Sequence, residues 1–195
     1  MEYNKYKIGD TMIQAKKFAS EFLIIVLSAL VIFLLLQFFF VSRVIVEGSS
    51  MEPNLYNNER LLVNKIAYSF SDPERGDVII FTPPYPSEND LIKRIIGLPG
   101  EVVEMKDGIV YIHQTDGTVL TLDESEYITN PDMDYYISDV VPEDSYFVLG
   151  DNRNDSSDSR YGWFVSRDSI HGRAWFCIWP LSEWGAVISY DYALP

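Results

Sequence analysis

Residues 22–41 form a long apolar run, FLIIVLSALVIFLLLQFFFV, which has no charged residue and only Ser28 and Gln37 as polar interruptions. A helix of about twenty residues is about 30 Å long, which matches the hydrocarbon core of a bilayer. A cleaved signal peptide would need a shorter apolar core followed by a small-x-small site, and residues 37–43 offer none. A buried helix of a soluble domain normally keeps a polar stripe, and this run has none. The run therefore predicts a retained transmembrane helix over 22–41.

Positive charge is distributed unequally around this run. Only Arg43 follows it nearby, whereas four lysines precede it: Lys5, Lys7, Lys16 and Lys17. Because lysines and arginines favour the cytoplasmic side, residues 1–21 are expected to form a cytoplasmic segment and residues 42–195 to lie outside the membrane. The lone cysteine, Cys177, suits such a compartment, since the chain contains no thiol pair to be oxidised. We therefore predict a single-pass protein of the cell membrane.

Short runs rich in Val, Ile and aromatic residues follow the apolar run, separated by turn residues. Ten of them are predicted to be strands: 44–47, 60–64, 77–82, 91–96, 101–105, 109–113, 118–122, 146–149, 174–178 and 186–189. Lys106-Asp107-Gly108 and Thr115-Asp116-Gly117 have the composition of hairpin turns. The pattern predicts a mostly β domain over 42–195.

Composition excludes several functions. The net charge is −14, and residues 104–144 contribute −10 of it through eleven acidic residues and one lysine. This charge argues against nucleic acid as a partner, because binding a phosphate backbone needs clustered cations. One cysteine and two histidines leave no zinc site built from cysteines and little for a histidine metal centre. We interpret the acidic stretch as a solvated, variable surface insertion rather than a specific acidic binding site.

Two segments carry a candidate nucleophile and a candidate base. Ser50 lies in Gly48-Ser49-Ser50-Met51-Glu52-Pro53, a loop shaped by glycine and proline; an ordinary serine-rich turn is the alternative. Lys93 and Arg94 are neighbours in an apolar strand, so they point to opposite faces and at least one shares a buried face. Burial lowers the pKa of a lysine, and a neutral amine is a competent general base. The alternative is two cations whose charged ends reach solvent at a strand end.

A third segment, residues 150–162, reads GDNRNDSSDSRYG and has the composition of a loop. Its alternating charges predict an ion-pair network within the loop, formed by Asp151, Arg153, Asp158 and Arg160. A calcium-binding loop is the rival interpretation, which the two arginines among the carboxylates disfavour.

Four segments, in this order, resemble the bacterial type I signal peptidases, in the short single-span form typical of Gram-positive bacteria. They are Ser50-Met51-Glu52-Pro53-Asn54-Leu55, Arg75-Gly76-Asp77-Val78, Lys93-Arg94-Ile95-Ile96-Gly97-Leu98-Pro99-Gly100, and Gly150-Asp151-Asn152-Arg153 with Ser156 and Asp158-Ser159-Arg160. The likeness extends to about Gly172-Arg173-Ala174. It implies an antiparallel β-sheet catalytic domain of the signal peptidase type behind one transmembrane helix, with an acidic insertion at about 104–144.

The resemblance implies a role for each matched residue. Ser50 falls at the nucleophile and Lys93 at its general base. The supporting positions are Ser156, which orients the lysine amine, the salt-bridged pair Asp158 and Arg160, and the neighbouring acid Asp151. The oxyanion hole of the family uses the backbone N–H of the nucleophile and a hydroxyl two residues earlier. This chain has Gly48 there, so the second donor is either the Gly48 backbone N–H or missing. The positions that line the small apolar substrate pockets correspond to Val44, Val46, Met51, Leu55, Leu61, Leu91 and Ile92.

The activity that the resemblance implies is that of a serine endopeptidase acting in protein secretion. It would remove signal peptides from exported preproteins after a small-x-small motif at the outer membrane face, without a metal or cofactor. The expected partners are secreted preproteins, the lipid bilayer and the protein-export translocase. Two alternatives stay open. One is a non-catalytic adaptor of the same ancestry, and the other is a sortase-like transpeptidase that uses Cys177 with His113 or His171.

Overall fold

The computed structural model describes residues 2–190 and 192, and the side chains of residues 16–34, 40–190 and 192. The chain divides into two compact units, Met1–Val41 and Ser42–Pro195. The first contains helix α1 (Glu2–Phe40). Among the described residues, twelve β-strands and three short 3₁₀ turns follow this helix.

Within the described residues, Lys16–Leu34 of α1 is long and apolar enough to cross a membrane. The side chains of this stretch are exposed, and those of Phe22, Ile24 and Ile25 are each more than half exposed. A helix in a protein core would bury such side chains, so this exposure suits an apolar surrounding such as lipid. The helix ends at Phe40, one residue before the end of the predicted span. Val41 begins the first strand.

The strands of the second unit are short, as the sequence predicts. They are β1 (Val41–Ile45), β2 (Arg60–Asn64), β3 (Val78–Phe81), β4 (Leu91–Gly97), β5 (Val102–Lys106), β6 (Ile109–His113), β7 (Val119–Leu122), β8 (Tyr136–Ile137), β9 (Ser145–Leu149), β10 (Val165–Ser166), β11 (Ile170–Trp179) and β12 (Gly185–Ala186).

These strands form two sheets. The larger has eight strands in the order β1-β2-β11-β3-β4-β9-β10, with β12 also paired to β11. The smaller has the order β7-β6-β5-β8 and is built from the acidic stretch. Every pair with a described register is antiparallel. The predicted mostly β, antiparallel fold class is confirmed.

The two predicted hairpin turns are also present. Asp107 and Gly108, between β5 and β6, both have positive φ, which is the geometry of a type I′ turn. Gly117 has φ 87° between β6 and β7. The sequence missed β8 and β10, because a two-residue strand is too short to form a recognisable run of strand-forming residues. The predicted strand 174–178 is shorter than β11, because Gly172 and Arg173 precede the apolar run that begins at Ala174 and hide the start of the strand.

The apolar core under the larger sheet supports the loop that carries Ser50. Met51 and Leu55 follow Ser50 and are buried in one cluster with Leu61 of β2 and Ile80 of β3. Burial of a methionine or leucine side chain contributes about 1.5–3 kcal/mol to stability. The segment after Ser50 is thereby attached to the sheet that contains β4.

Candidate active site

Ser50 lies in a tight turn between β1 and β2. The Glu52 N–H donates to the Ser49 carbonyl at 3.0 Å, and the Leu55 N–H donates to the Met51 carbonyl at 2.9 Å. The carbonyl of Ser50 accepts the Asn152 N–H at 3.0 Å, and Asn152 Nδ2 donates to the Ser49 carbonyl at 3.2 Å. Ser50 is thus held by its buried neighbour Met51 on one side and by Asn152 on the other.

Lys93 lies in β4 between β3 and β9, and its side chain meets Ser50. Its residue is only 3% exposed, and Nζ lies 2.6 Å from Ser50 Oγ and 3.0 Å from the Ile92 carbonyl. Burial lowers the pKa of Lys93 to about 8, although the carboxylates of Asp158 and Asp151 act in the opposite direction. At pH 7 about one amine in ten is therefore neutral, against about one in two thousand for an ordinary lysine, and the Ser50 hydroxyl donates to the neutral form.

Arg94 points to the opposite face of β4, as the strand geometry predicts, and it is equally buried at 1% exposure. The alternative in which the charged ends of Lys93 and Arg94 reach solvent is therefore wrong for both residues. Arg94 donates to both carboxylate oxygens of Asp151, at 2.9 and 2.7 Å, and to the carbonyls of Gly76 and Ile188. The rings of Tyr127 and Tyr190 lie 4.6 and 5.0 Å from its guanidinium carbon.

The contacts of Arg94 predict that Arg94→Lys destabilises the protein. A lysine keeps the charge but cannot form the two-pronged pair with Asp151 and also reach both carbonyls. We expect a loss of about 2–4 kcal/mol in the free energy of unfolding, because buried acceptors lose their donors. Urea unfolding measures it, with the exposed Arg60→Lys as a control. Equal stability of the two variants would contradict the prediction.

The loop of residues 150–160 is held by ion pairs that differ from the predicted network. Asp158 binds Arg160 as predicted, with Arg160 Nε 2.8 Å from Oδ1. Asp151 pairs instead with Arg94, and Arg153 with Glu124 at 2.5 Å. The prediction failed because the partners come from a neighbouring strand and from the acidic stretch. The pairing also argues against the calcium interpretation, because arginines occupy Asp151 and Asp158.

Ser156 lies in the same loop, against Gly150. Its hydroxyl is buried and forms no hydrogen bond with any residue that the structure describes. The expected hydrogen bond from Ser156 to the Lys93 amine is therefore not formed in this structure.

The backbone donors around Ser50 differ in their availability. The Gly48 N–H donates to Asn57 Oδ1 at 3.0 Å, so it is already engaged. The Ser50 N–H donates to no backbone acceptor within residues 2–190. The Gly48 N–H is therefore not a second oxyanion donor in this arrangement, because its hydrogen is aimed at Asn57.

A cavity of about 450 Å³ opens beside Ser50 and Lys93. Four of the seven predicted substrate-binding residues line it: Val44, Val46, Leu91 and Ile92. The other three, Met51, Leu55 and Leu61, are buried in the core and do not line this cavity. Ile80 also lines it and was missed, because a residue of a fully buried strand gives no sign of facing a cavity. The walls come from the β1 edge, from β3 and from residues 88–93.

Other functional residues that the sequence did not indicate are polar and act through long-range contacts. Asn57 and Asn152 hold the backbone of the Ser50 turn, and Glu124 and Asp132 bind arginines of the 150–160 loop. Asn152 lies in one of the four segments that resemble the signal peptidases, so its place there could have indicated it. No signal in the sequence distinguishes Glu124 and Asp132 from the other acidic residues around them.

A buried lysine in hydrogen-bond contact with a loop serine is typical of hydrolases that use a Ser-Lys variant of the catalytic triad. Comparison with known proteins also indicates a peptidase. The family model described as signal peptidase, peptidase S26, matches residues 19–179. The probable signal peptidase I-1 of Synechocystis sp. is 38% identical over 183 residues, which cover 90% of this chain and 90% of that protein.

Signal peptidase IB of Staphylococcus aureus is 35% identical over 186 residues, covering 86% of this chain and 93% of that protein. A crystal structure of a signal peptidase I from Enterococcus faecalis is 35% identical, with a TM-score of 0.44, and the match covers 53% of this chain and 97% of that chain. The chain belongs to the signal peptidase family, peptidase S26. The sortase-like alternative is therefore wrong.

The environment of Cys177 agrees with this exclusion. The thiol is buried, and within the described part of the chain it donates to the Trp179 carbonyl at 3.2 Å and to Glu59 at 3.8 Å. Burial raises the pKa of Cys177, which makes the thiol a poor nucleophile. We predict that Cys177→Ala keeps kcat for a signal-peptide substrate within about twofold, at a stability cost of about 1 kcal/mol. Cleavage and thermal unfolding test this, and loss of cleavage in a folded variant would contradict it.

Proposed function

We propose that this protein is a membrane-anchored serine endopeptidase that removes signal peptides from exported preproteins, with Ser50 as nucleophile and Lys93 as general base. The observation that carries the proposal is the 2.6 Å contact between Ser50 Oγ and the Nζ of a lysine that is 3% exposed. A nucleophile and its base must lie within hydrogen-bond reach, and the base must be deprotonated at the working pH.

In the proposed mechanism, neutral Lys93 accepts the proton of the Ser50 hydroxyl while Oγ attacks the scissile carbonyl. The protonated amine then donates to the leaving amino group, which gives an acyl-enzyme on Ser50. Lys93 next accepts a proton from a water molecule, which attacks the acyl carbon; the bond to Ser50 Oγ then breaks, Lys93 returns the proton to Oγ, and the signal peptide leaves. The Ile92 carbonyl, 3.0 Å from Nζ, keeps the amine oriented through both steps.

The negative charge on the attacked carbonyl oxygen needs donors in place before the reaction. The Ser50 N–H is the donor that we propose. Gly48 has no hydroxyl and its N–H donates to Asn57, so the proposed oxyanion hole has one donor fewer than the arrangement that the resemblance implies. Removing one such donor typically costs about 10²–10³ in rate.

The shape and lining of the cavity support the proposed substrate. Valine, leucine and isoleucine side chains on both walls leave space beside Ser50 for small apolar residues. This favours cleavage after a small-x-small motif. The Synechocystis and S. aureus relatives are named signal peptidases, which supports the same substrate class.

The placement that we propose follows from the charge around α1. The lysines before the span favour a cytoplasmic N-terminus, so the peptidase unit lies at the outer membrane face, with the bilayer and the protein-export translocase as its neighbours. Signal peptides become accessible to Ser50 on that side.

The deciding experiment measures cleavage of a preprotein by the full chain in lipid vesicles. We expect cleavage directly after the small-x-small motif, located by mass spectrometry of both products. The non-catalytic adaptor alternative predicts binding of the preprotein without any product, and that result would refute the proposal.

A further inference from the structure

The acidic stretch 104–144 is more than the solvated insertion that the sequence predicts. Its connection between β7 and β8 reaches the 150–160 loop beside Ser50. Asn54 Nδ2 donates to the Tyr127 carbonyl and Asn154 Nδ2 to the Asn130 carbonyl, both at 3.1 Å. Two carboxylates of this connection also bind buried or half-buried arginines.

The first carboxylate is Glu124, which binds Arg153. Both guanidinium nitrogens of Arg153 bind Glu124, at 2.7 and 2.5 Å, and both residues are buried. The remaining Nε of Arg153 donates to the Gly150 carbonyl at 3.2 Å. Glu124 therefore acts on one side of Gly150 through Arg153.

The second carboxylate is Asp132, which binds Arg160 at 2.6 Å. Arg160 in turn binds both oxygens of Asp158, at 2.8 and 2.9 Å. Asp158 accepts the Gly150 N–H at 3.1 Å. Asp132 therefore acts on the other side of Gly150 through Arg160 and Asp158.

Gly150 itself lies directly against the candidate site. A Cβ at this position would come within 2.5 Å of the Ser50 carbonyl and 2.2 Å of Ser156 Oγ. Such distances leave no room for a side chain, so the backbone of Gly150 sets the position of the chain behind Ser50. A small displacement of a reacting group lowers catalysis strongly, by up to about 10²-fold for 1 Å.

We propose that Glu124 and Asp132 are positioning residues of the peptidase, which clamp Gly150 from both sides through Arg153 and Arg160. The inference rests on the proposed function, since it requires Ser50 and Lys93 to be the reacting groups. The walls of the substrate cavity come from β1, β3 and residues 88–93, which the clamp does not touch. Loss of the clamp should therefore change kcat and leave KM nearly unchanged.

The test uses the full chain in detergent with a signal-peptide substrate. Asp132→Ala should lower kcat about tenfold and keep KM within about twofold, while Asp132→Glu should restore at least half of the lost activity. Asp134→Ala is the matched control, because Asp134 is an exposed carboxylate two residues away, and it should change neither value. An unchanged kcat in Asp132→Ala, or a change confined to KM, would overturn the proposal.

A double-mutant cycle tests the path through Arg160. In an Arg160→Gln background, Asp132→Ala should have no further effect on kcat, since the residue that it acts through is gone. Additive losses would overturn the proposal. If Asp132→Ala does not fold, Asp132→Asn, which keeps an acceptor oxygen, takes its place in the same cycle with a loss of about threefold. Glu124→Gln with Glu126→Gln as control repeats the comparison on the Arg153 side.

The same assay distinguishes a failure of the proposed function from a failure of the clamp. A wild-type protein that does not cleave, or a Ser50→Ala variant that does, refutes the proposed function itself. Ser50-dependent cleavage that is indifferent to Asp132 refutes the clamp alone.

Discussion

Ser50→Ala and Lys93→Ala are each expected to lower kcat for a signal-peptide substrate by about 10⁴-fold or more, because each removes a group of the same chemical step. For the same reason the double variant should lose no more than either single one. Ser50 Oγ and Lys93 Nζ lie 2.6 Å apart, so the proton can pass directly between them. Single-turnover cleavage by the full chain in detergent measures the loss, with thermal unfolding to show that each variant is folded.

Ser49→Ala provides the matched control for this prediction. Ser49 carries the same hydroxyl one residue earlier, but its Oγ donates to Asp155 at 2.6 Å on the exposed side of the turn. We expect its loss to reduce kcat less than tenfold, through a looser turn only. An equal loss in the Ser49 and Ser50 variants would mean that the nucleophile is wrongly assigned.

The second large effect concerns pH. Burial places the pKa of Lys93 at about 8, below the ordinary value of 10.5, and catalysis needs the neutral amine. Below pH 8 the amine is mostly protonated and each further pH unit lowers the rate about tenfold, whereas above it the rate levels off. The pH profile of kcat/KM should therefore rise through about pH 8 and reach a plateau well below pH 10.

Lys93→Arg is the companion variant. A guanidinium keeps the positive charge and a similar length, yet it does not lose its proton at these pH values, so we expect the same loss as for Lys93→Ala. Lys93→Arg and Lys93→Ala should be equally inactive from pH 6 to 10. A rising limb centred near pH 10, or turnover by Lys93→Arg, would remove Lys93 as the base.

The sequence predicted well those features that depend on neighbours in the chain. The apolar run indicated α1, short runs rich in Val, Ile and aromatic residues indicated strands such as β2 and β6, and Asp107-Gly108 indicated its hairpin. The adjacency of Lys93 and Arg94 predicted opposite faces, because side chains in a strand alternate. Ser50 and Lys93 were indicated as a pair only when the matched segments were taken together, and no distance between them followed from that.

The sequence misled where a polar group has several partners to choose from. The 150–160 loop contains three acids and two arginines in close succession, and local pairing was the natural prediction. Only Asp158 and Arg160 pair in this way. Asp151 and Arg153 bind Arg94 and Glu124, which are 57 and 29 residues away, because packing brings those groups into a buried place where a charge needs a partner.

By itself, the sequence determined that the chain has one long apolar helix, a β-rich unit with antiparallel hairpins, and the residue types of a serine peptidase. These properties depend on periodicity and on local turn chemistry, which act over a few residues. The tertiary structure alone decided that Lys93 is buried against Ser50, that Asn57 takes the Gly48 N–H, and that two acids of the 104–144 stretch bind the arginines of the 150–160 loop. Burial, pKa and ion pairing depend on groups far apart in the chain, and only the packed sheets bring those groups within a few ångströms.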